Sequence, residues 1–186
     1  MQERGTVAPL RTKGDVHVPR VARRKRLATV VSVALFVLCA DQLTKSLAVS
    51  HLSGRALHVI GPFSLELAFN SGVAFSLLSG FGFPIIVVTL VLVVVLVWFT
   101  RGLPSYPAVV GVGMILGGAI GNLSDRLFRG HGGAVVDFIH TGFWPTFNVA
   151  ASSVVCGCAL LIIASLRHSP NATLDAGRDH GGSDAR

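Results

Sequence analysis

The chain has 186 residues, of which 51% are hydrophobic and only 13% charged, and its mean hydropathy is +0.65. A soluble domain carries about a quarter of charged residues, so this balance excludes an ordinary soluble fold and indicates an integral membrane protein. The formal net charge of +7 is unevenly spread, with Arg4, Arg11, Lys13, Arg20, Arg23, Arg24, Lys25 and Arg26 all ahead of the first long apolar run.

Residues 1–26 read as a basic arm without a hydrophobic period, expected to be disordered. A basic tail is open to a nucleic-acid reading. Here Arg23 to Arg26 abut an apolar stretch, and Lys and Arg beside a membrane helix mark the cytoplasmic side, so a cytoplasmic arm is expected and no nucleic-acid partner. Four segments then have the length of about 20 apolar residues that a bilayer crossing needs. They lie near 27–49, 82–100, 106–128 and 145–166. The first is expected to be an uncleaved helix rather than a signal peptide: Leu38 stands where a small residue would precede Cys39 at a lipoprotein cleavage site, and no A-x-A site follows. The three cysteines, Cys39, Cys156 and Cys158, fall inside apolar runs and form no disulfide framework. Residues 167–186, with Asn171, Gly177, Gly181 and Gly182 among charges, read as a disordered tail.

The basic arm fixes an expected orientation. Both termini and Arg101 lie in the cytoplasm, and residues 50–81 and 129–144 lie outside. Within the first outer region, residues 63–69 alternate between apolar and small or polar residues, the period of a strand. Gly61 and Pro62 punctuate that run before it, and Ser71 and Gly72 after it. A small β element is expected near 56–70. The second outer region, with Gly130, Gly132 and Gly133, reads as a flexible loop.

Charged groups inside membrane segments cost on the order of 2.5–3.5 kcal/mol each on transfer scales, so their positions are informative. Asp41 and Lys45 fall near the outer end of the first helix, and Asn122, Asp125 and Arg126 near the outer end of the third. Asn148 and Ser152 start the fourth, Asp137 stands in the loop before it, and Asn70 and Ser71 follow the outer strand. The topology brings all of them to one membrane face and points to a site there. Asp41 and Lys45 are four apart and can pair along one helix face, which Thr44 shares; a pair that merely neutralises itself is the plainer alternative. Asp125 is expected to pair with Arg126 or a neighbouring polar group. Gly113, Gly117 and Gly121 repeat every four residues, a small-residue face suited to close helix packing. His51, His58, His131 and His140 lie in or near outer loops without metal-ligand spacing, so no metal is expected.

These residues fall in five motifs that resemble those of bacterial lipoprotein signal peptidases, the signal peptidase II family. Asp41 to Lys45 (DQLTK) is similar to the first motif, and Phe69 to Ser76 (FNSGVAFS) to the second. Gly117 to Arg126 (GGAIGNLSDR) is similar to the third, Val135 to Ile139 (VVDFI) to the fourth, and Phe147 to Ala150 (FNVA) to the fifth. The order and spacing agree from about residue 27 to 166. The resemblance implies an all-α integral membrane protein with four transmembrane helices and a small β cradle at the extracytoplasmic face. It implies residence in the bacterial cytoplasmic (inner) membrane. It implies an aspartic endopeptidase, without metal or organic cofactor, that removes signal peptides from diacylglyceryl-modified prolipoproteins.

In the family the aspartates of the fourth and fifth motifs form the catalytic dyad. Asp137 matches the first, and the second falls on Ala151. Two carboxylates at close range share one proton, so that one accepts a proton from water while the other donates one to the carbonyl. Alanine does neither. Asn70, Asn122 and Asn148 are then expected to bind substrate backbone or hold Asp137, Arg126 to support the site electrostatically, and Asp41 and Lys45 to brace it. Gly72 would permit close backbone approach. Each of these could instead serve as structural glue between helices. Three readings are therefore carried: an endopeptidase with activity limited by Ala151, a non-catalytic protein that binds lipidated prolipoproteins, and a small transport subunit. The last would need polar residues through the bilayer depth. Membrane lipid is an expected partner, and a monomer is expected because four helices can enclose one site.

Overall fold

The computed structural model describes residues 20–71, 82–99 and 105–167. Helix α1 is Arg20–His51, followed by strands β1 (Leu57–Ile60) and β2 (Phe63–Asn70), helices α2 (Gly82–Phe99) and α3 (Tyr106–Phe128), strand β3 (Val135–His140) and helix α4 (Val149–Arg167). Among the described residues, three helices are long and apolar enough to cross a membrane: Arg23–His51 within α1, all of α3 and all of α4. Helix α2 carries a shorter apolar stretch, Ile86–Trp98.

Helix α1 begins at Arg20 rather than near 27, so the basic residues 23–26 continue the helix instead of preceding it. Arg and Lys are good helix formers and Ala22 and Ala28 break no turn. Helix α4 starts at Val149, later than expected near 145, because Pro145 and the capping residue Asn148 hold the preceding segment extended. The expectation of a flexible loop over 129–144 is corrected for residues 135–140, which form β3. The run Val135-Val136-Asp137-Phe138-Ile139 has the residues a strand favours, but its partner β2 lies far away in sequence. The terminal segments 1–19 and 168–186, and Gly72, lie outside the described residues.

The helices meet through small residues. An added Cβ on Gly113 would lie 2.8 Å from Val33 Cβ, and one on Gly117 would lie 2.6 Å from Ala34 O and 2.8 Å from Val37 Cβ. One on Gly121 would lie 2.6 Å from Asp41 Oδ2. The four-residue glycine repeat is therefore the face that lets α1 approach α3. On its other side α3 meets α4 through Gly111, Gly118 and Gly157; a Cβ on Gly111 would lie 2.8 Å from Gly157 O.

Along the inward face of α1 the residues run Val30, Ala34, Val37, Asp41, Lys45, Ala48 and Leu52, three or four apart, the spacing of one packed helix face. The inner part belongs to a core of Val30, Ala108, Val109, Val112, Leu116 and Ala164, on which Val93 and Leu96 of α2 also pack. The outer part, Ala48 and Leu52, packs with Phe138 beneath the sheet. Asp41 and Lys45 lie between these two apolar layers, and both are fully buried.

The sheet has the order β1-β2-β3 and is antiparallel throughout. Leu65 pairs with Ile139, but Ala68 pairs with Asp137, so β2 carries one extra residue between these points. Such a bulge re-aims side chains; here it brings Asn70 within reach of Asp137.

Gly117→Ala tests the helix contact. Helix propensity alone would favour the change by about 0.5–1 kcal/mol. The clash with the Ala34 carbonyl, which cannot move without α1, should cost about 1–3 kcal/mol. Thermal unfolding in detergent should therefore show a lower melting temperature, and an increase would mean that the α1–α3 contact is looser than the glycine spacing implies.

Candidate functional site

The buried Lys45 side chain is the centre of the polar layer. Its Nζ lies 2.8 Å from Asp41 Oδ2 and 2.9 Å from Asp125 Oδ2, and it donates to Asn122 Oδ1 at 3.0 Å. An ammonium has three protons, and three acceptors surround this one. The expected Asp41–Lys45 pair is present. Of the two partners expected for Asp125, it takes neighbouring polar groups and not Arg126: it pairs with Lys45 and with Arg129, whose Nε lies 2.9 Å from Asp125 Oδ1. Arg126 instead donates from Nη1 to Asn122 O at 3.3 Å. On a helix, residues four apart share a face and adjacent ones do not, so Arg129 rather than Arg126 reaches the Asp125 carboxylate.

The outer loop then folds onto this layer. Gly130, Gly132 and Gly133 all have positive φ, at +76°, +63° and +82°, a backbone that glycine adopts without strain. They turn the chain back from α3 so that Val136 N donates to Asp125 Oδ2 at 3.1 Å. Asp137 follows on β3, 4% exposed. Its Oδ2 accepts from Asn70 Nδ2 at 2.9 Å and its Oδ1 from Asn148 Nδ2 at 2.6 Å. Asn148 reaches it because the preceding Phe147 is tied to β3: Phe138 N and Ile139 N both donate to Phe147 O at 2.8 Å, and Phe147 N donates to Ile139 O at 2.9 Å.

Asn148 also caps α4. Its Oδ1 accepts from Ala151 N at 2.6 Å, the bond an N-cap residue makes to the third residue of its helix. Asp41 Oδ1 accepts from Ala150 N at 2.8 Å, so a carboxylate of α1 faces the positive end of α4. The Asn148 amide, between Asp137 on one side and the Ala151 backbone on the other, joins the two positions. Ser152 turns its hydroxyl back to Asn148 O at 2.9 Å and is not directed at Asp137 by that bond.

The structure thus brings Asp41, Lys45, Asn70, Asn122, Asp125, Asp137, Asn148 and the backbone of Ala151 into one connected set. Arg126 borders it, its charge acting on Asp125 and Asp137. Thr44 does not join: its hydroxyl donates back along α1 to Ala40 O at 2.8 Å. Two members were not anticipated from sequence. Gln42 Nε2 donates to Asp125 Oδ1 at 3.1 Å and to Gly121 O at 3.2 Å, and Arg129 Nη2 donates to Gln42 Oε1 at 2.7 Å. Arg129 stands four residues after Asp125, and that spacing is the signal that could have found it. Among the described residues, no three His, Cys, Asp or Glu side chains are grouped to hold a metal ion.

Burial pushes the Asp137 carboxyl above its ordinary value of 3.8, and the Asp125 charge adds to that push. The Asn70 amide, the Lys45 charge and the Asn148 amide oppose it without cancelling it. The folded chain therefore holds this proton to higher pH than the unfolded chain does. The resulting stability is complete below the unfolded value and is lost as pH rises through the raised folded value.

Two measurements follow from this geometry. The melting temperature of the chain relative to its Asp137→Asn variant should fall as pH rises above 3.8; a difference that stays flat with pH would mean that the carboxyl is solvated. Lys45→Met should lower stability by about 3–5 kcal/mol, because it leaves the buried Asp41 carboxylate without its cation and Asp125 with Arg129 alone. Unfolding in detergent by denaturant titration reads this directly, and a loss under 1 kcal/mol would show that water reaches the layer.

Comparison with known proteins agrees with this architecture. The family model described as signal peptidase (SPase) II matches residues 33–167. The lipoprotein signal peptidase of Mycobacterium tuberculosis (strain ATCC 25618 / H37Rv) is 44% identical over 158 residues, covering 82% of this chain and 77% of that protein. That of Mycobacterium avium (strain 104) is 46% identical over 147 residues, covering 76% and 81%. Two crystal structures of a bacterial membrane enzyme solved by the in meso method superpose with a TM-score of 0.69 each. They are 31% and 32% identical to this chain, cover 78% and 77% of it, and are themselves covered to 92% and 96%. Over most of its length, then, in sequence and in the arrangement of helices around one small sheet, the chain belongs to the signal peptidase II family.

Proposed function

We propose that this chain is a membrane-embedded aspartic endopeptidase of the signal peptidase II type, directed at diacylglyceryl-modified prolipoproteins, in which one of the two dyad carboxylates is missing. The observation that carries the proposal is the Asn148 side chain. It binds the Asp137 carboxylate with its amide nitrogen and the Ala151 backbone with its oxygen, at 2.6 Å each. A single amide therefore sets Asp137 beside position 151, where the family's second aspartate falls.

In the reaction an attacking water loses a proton to one carboxylate while the other gives its proton to the carbonyl oxygen of the scissile peptide. The tetrahedral intermediate then collapses with protonation of the leaving amine. Asp137 is suited to hold the shared proton, because burial already favours its neutral form. The first turn of α4 favours negative charge at position 151, so a carboxylate there would serve as the base. Asn70 and Asn148 orient Asp137, Asn122 and Lys45 hold Asn148 and Asp125, and Arg126 adds positive potential beside the pair. With Ala151 in place the second proton carrier is absent, and loss of positioned acid–base catalysis costs typically about 10²–10⁴-fold.

The membrane arrangement proposed is four spans. Helix α2 has 18 residues, about 27 Å at 1.5 Å per residue, close to the hydrocarbon thickness of about 30 Å. Arg23 to Arg26 at the start of α1 and Arg167 at the end of α4 favour a cytoplasmic location for both termini. That orientation sets the sheet and Asp137 at the extracytoplasmic face of the bacterial inner membrane. Lipid contacts the exposed apolar faces of the helices, and one chain suffices for the site. The domain reading is an arm up to about residue 26, a membrane domain over 27–166 and a tail over 167–186. Gly72, beyond the described residues, would allow substrate backbone to approach Asn70.

A second reading has one observation in its favour. Every polar partner of Asp137 is intact although position 151 is alanine, as expected for a protein that captures lipidated prolipoproteins without cutting them. One experiment separates the two: the chain and its Ala151→Asp variant are reconstituted in liposomes with a prolipoprotein peptide carrying its diacylglyceryl cysteine. Cleavage should be negligible in the first and should increase at least about 100-fold in the second. Rapid cleavage by the unaltered chain would overturn the dyad assignment and direct attention to Asp125. Binding without cleavage by both would establish the capture reading.

A further inference from the structure

A cavity of about 350 Å³ lies between the outer end of α1 and the sheet, apart from the polar layer. Its walls are Leu47, Ala48 and Leu52 of α1, Leu57 of β1, Leu65 of β2 and Phe138 of β3. Two further residues reach it with polar atoms, and both are engaged elsewhere. The Thr44 hydroxyl donates to Ala40 O at 2.8 Å and to Asp41 O at 3.0 Å, and His51 Nδ1 lies 2.7 Å from Ser50 Oγ and 3.1 Å from Leu47 O. The interior therefore offers hydrocarbon to an occupant and almost nothing that water could bond. A polar molecule would lose its hydration there without compensation, whereas an apolar cavity of this kind stays dry and takes an apolar guest.

The mouth identifies the guest. Leu47 and Leu57 line the cavity and are also 49% and 45% exposed, and Leu43, one turn further into the membrane on α1, is 62% exposed. The cavity wall is thus continuous with the apolar surface of a helix long enough to cross a bilayer. At the outer rim stands exposed Arg55, just after α1, whose Nε donates to His51 O at 2.5 Å. That bond ties Arg55 to His51, a residue of the cavity lining, and leaves its fork for an anion. An apolar slot entered from the membrane side, with a fixed cation at the level where helix gives way to loop, matches a phosphodiester headgroup above a hydrocarbon chain.

We propose that this cavity holds one acyl chain of a bilayer phospholipid, with the phosphate against Arg55. The wall toward Asp137 is closed by Ala48, Leu52 and Phe138, which are 4%, 5% and 8% exposed. The occupant is therefore a resident lipid rather than the peptide to be cut. Phe138 adjoins Asp137 in sequence, and successive residues of a strand point to opposite faces. The lipid thus packs the back of the strand whose front carries the carboxyl. The inference stands apart from the peptidase proposal, and its test reads no cleavage.

The full chain in detergent is offered phosphatidylglycerol, dioleoylglycerol or a diacylglyceryl-cysteine peptide, and bound lipid is counted by native mass spectrometry. One phosphatidylglycerol per chain should be retained. Leu57→Trp, on the exposed edge strand, should fill the slot, lower occupancy by phosphatidylglycerol and dioleoylglycerol at least tenfold, and leave retention of the lipidated peptide within twofold. Arg55→Glu should weaken phosphatidylglycerol at least tenfold and leave dioleoylglycerol within twofold. Melting curves matching the unaltered chain establish that both variants are folded. Unchanged phosphatidylglycerol retention in folded Leu57→Trp would overturn the proposal. So would one-for-one displacement of phosphatidylglycerol by the lipidated peptide at equimolar concentration, which would assign the cavity to substrate.

Discussion

One buried ammonium organises the sheet-bearing half of this protein. Lys45 has no exposed surface, and an unpaired cation there would be expelled by desolvation alone. It is kept by two carboxylates and an amide oxygen that come from α1 and α3. Each of those groups also fixes something else. Asp41 holds the first turn of α4, Asp125 holds the backbone of β3, and Asn122 shares its oxygen with Asn148. The position of Asp137 is therefore a consequence of where Lys45 settles, although the two residues belong to different elements.

That polar layer is possible because the helices on both sides of it pack closely through apolar and small residues. The glycines of α3 permit backbone contact with α1 and α4 at distances that no side chain would allow. Close approach is the main route to van der Waals stabilisation where lipid is as apolar as the interface. It also shortens the reach from α1 to α3, so that Lys45 spans the gap with good hydrogen-bond geometry. An Ala at Gly121 would place its Cβ against the Asp41 carboxylate, so the packing face and the charged layer are a single constraint.

Much of this could be read from the residues. Long apolar runs mark helices with little ambiguity, and α3 begins and ends where its pattern predicts. Polar residues inside such runs are costly enough that their common placement near one end exposed the candidate site. What escaped the sequence depended on partners distant along the chain. Val135 to Ile139 is too short to declare itself a strand until β2 lies beside it, and the bulge opposite Phe138 has no local signature. Gln42 carries no charge and so gave no alarm, although its amide joins Asp41, Asp125 and Arg129. The start of α1 is hard to read from the residues because a basic arm resembles a solvated tail, whereas helix propensity extends the helix through Arg23 to Arg26.

The ion pairs have a bearing on how such a protein gets into a bilayer at all. Asp41 and Lys45 are four residues apart on α1, and Asp125 and Arg129 are four apart at the end of α3. Each helix can therefore leave the translocation machinery with its buried carboxylate already paired along its own surface. Lys45 acquires Asp125 only when the two helices dock. The same four side chains thus serve first as two separate neutral couples, which makes each segment tolerable to lipid, and afterwards as one inter-helical lock.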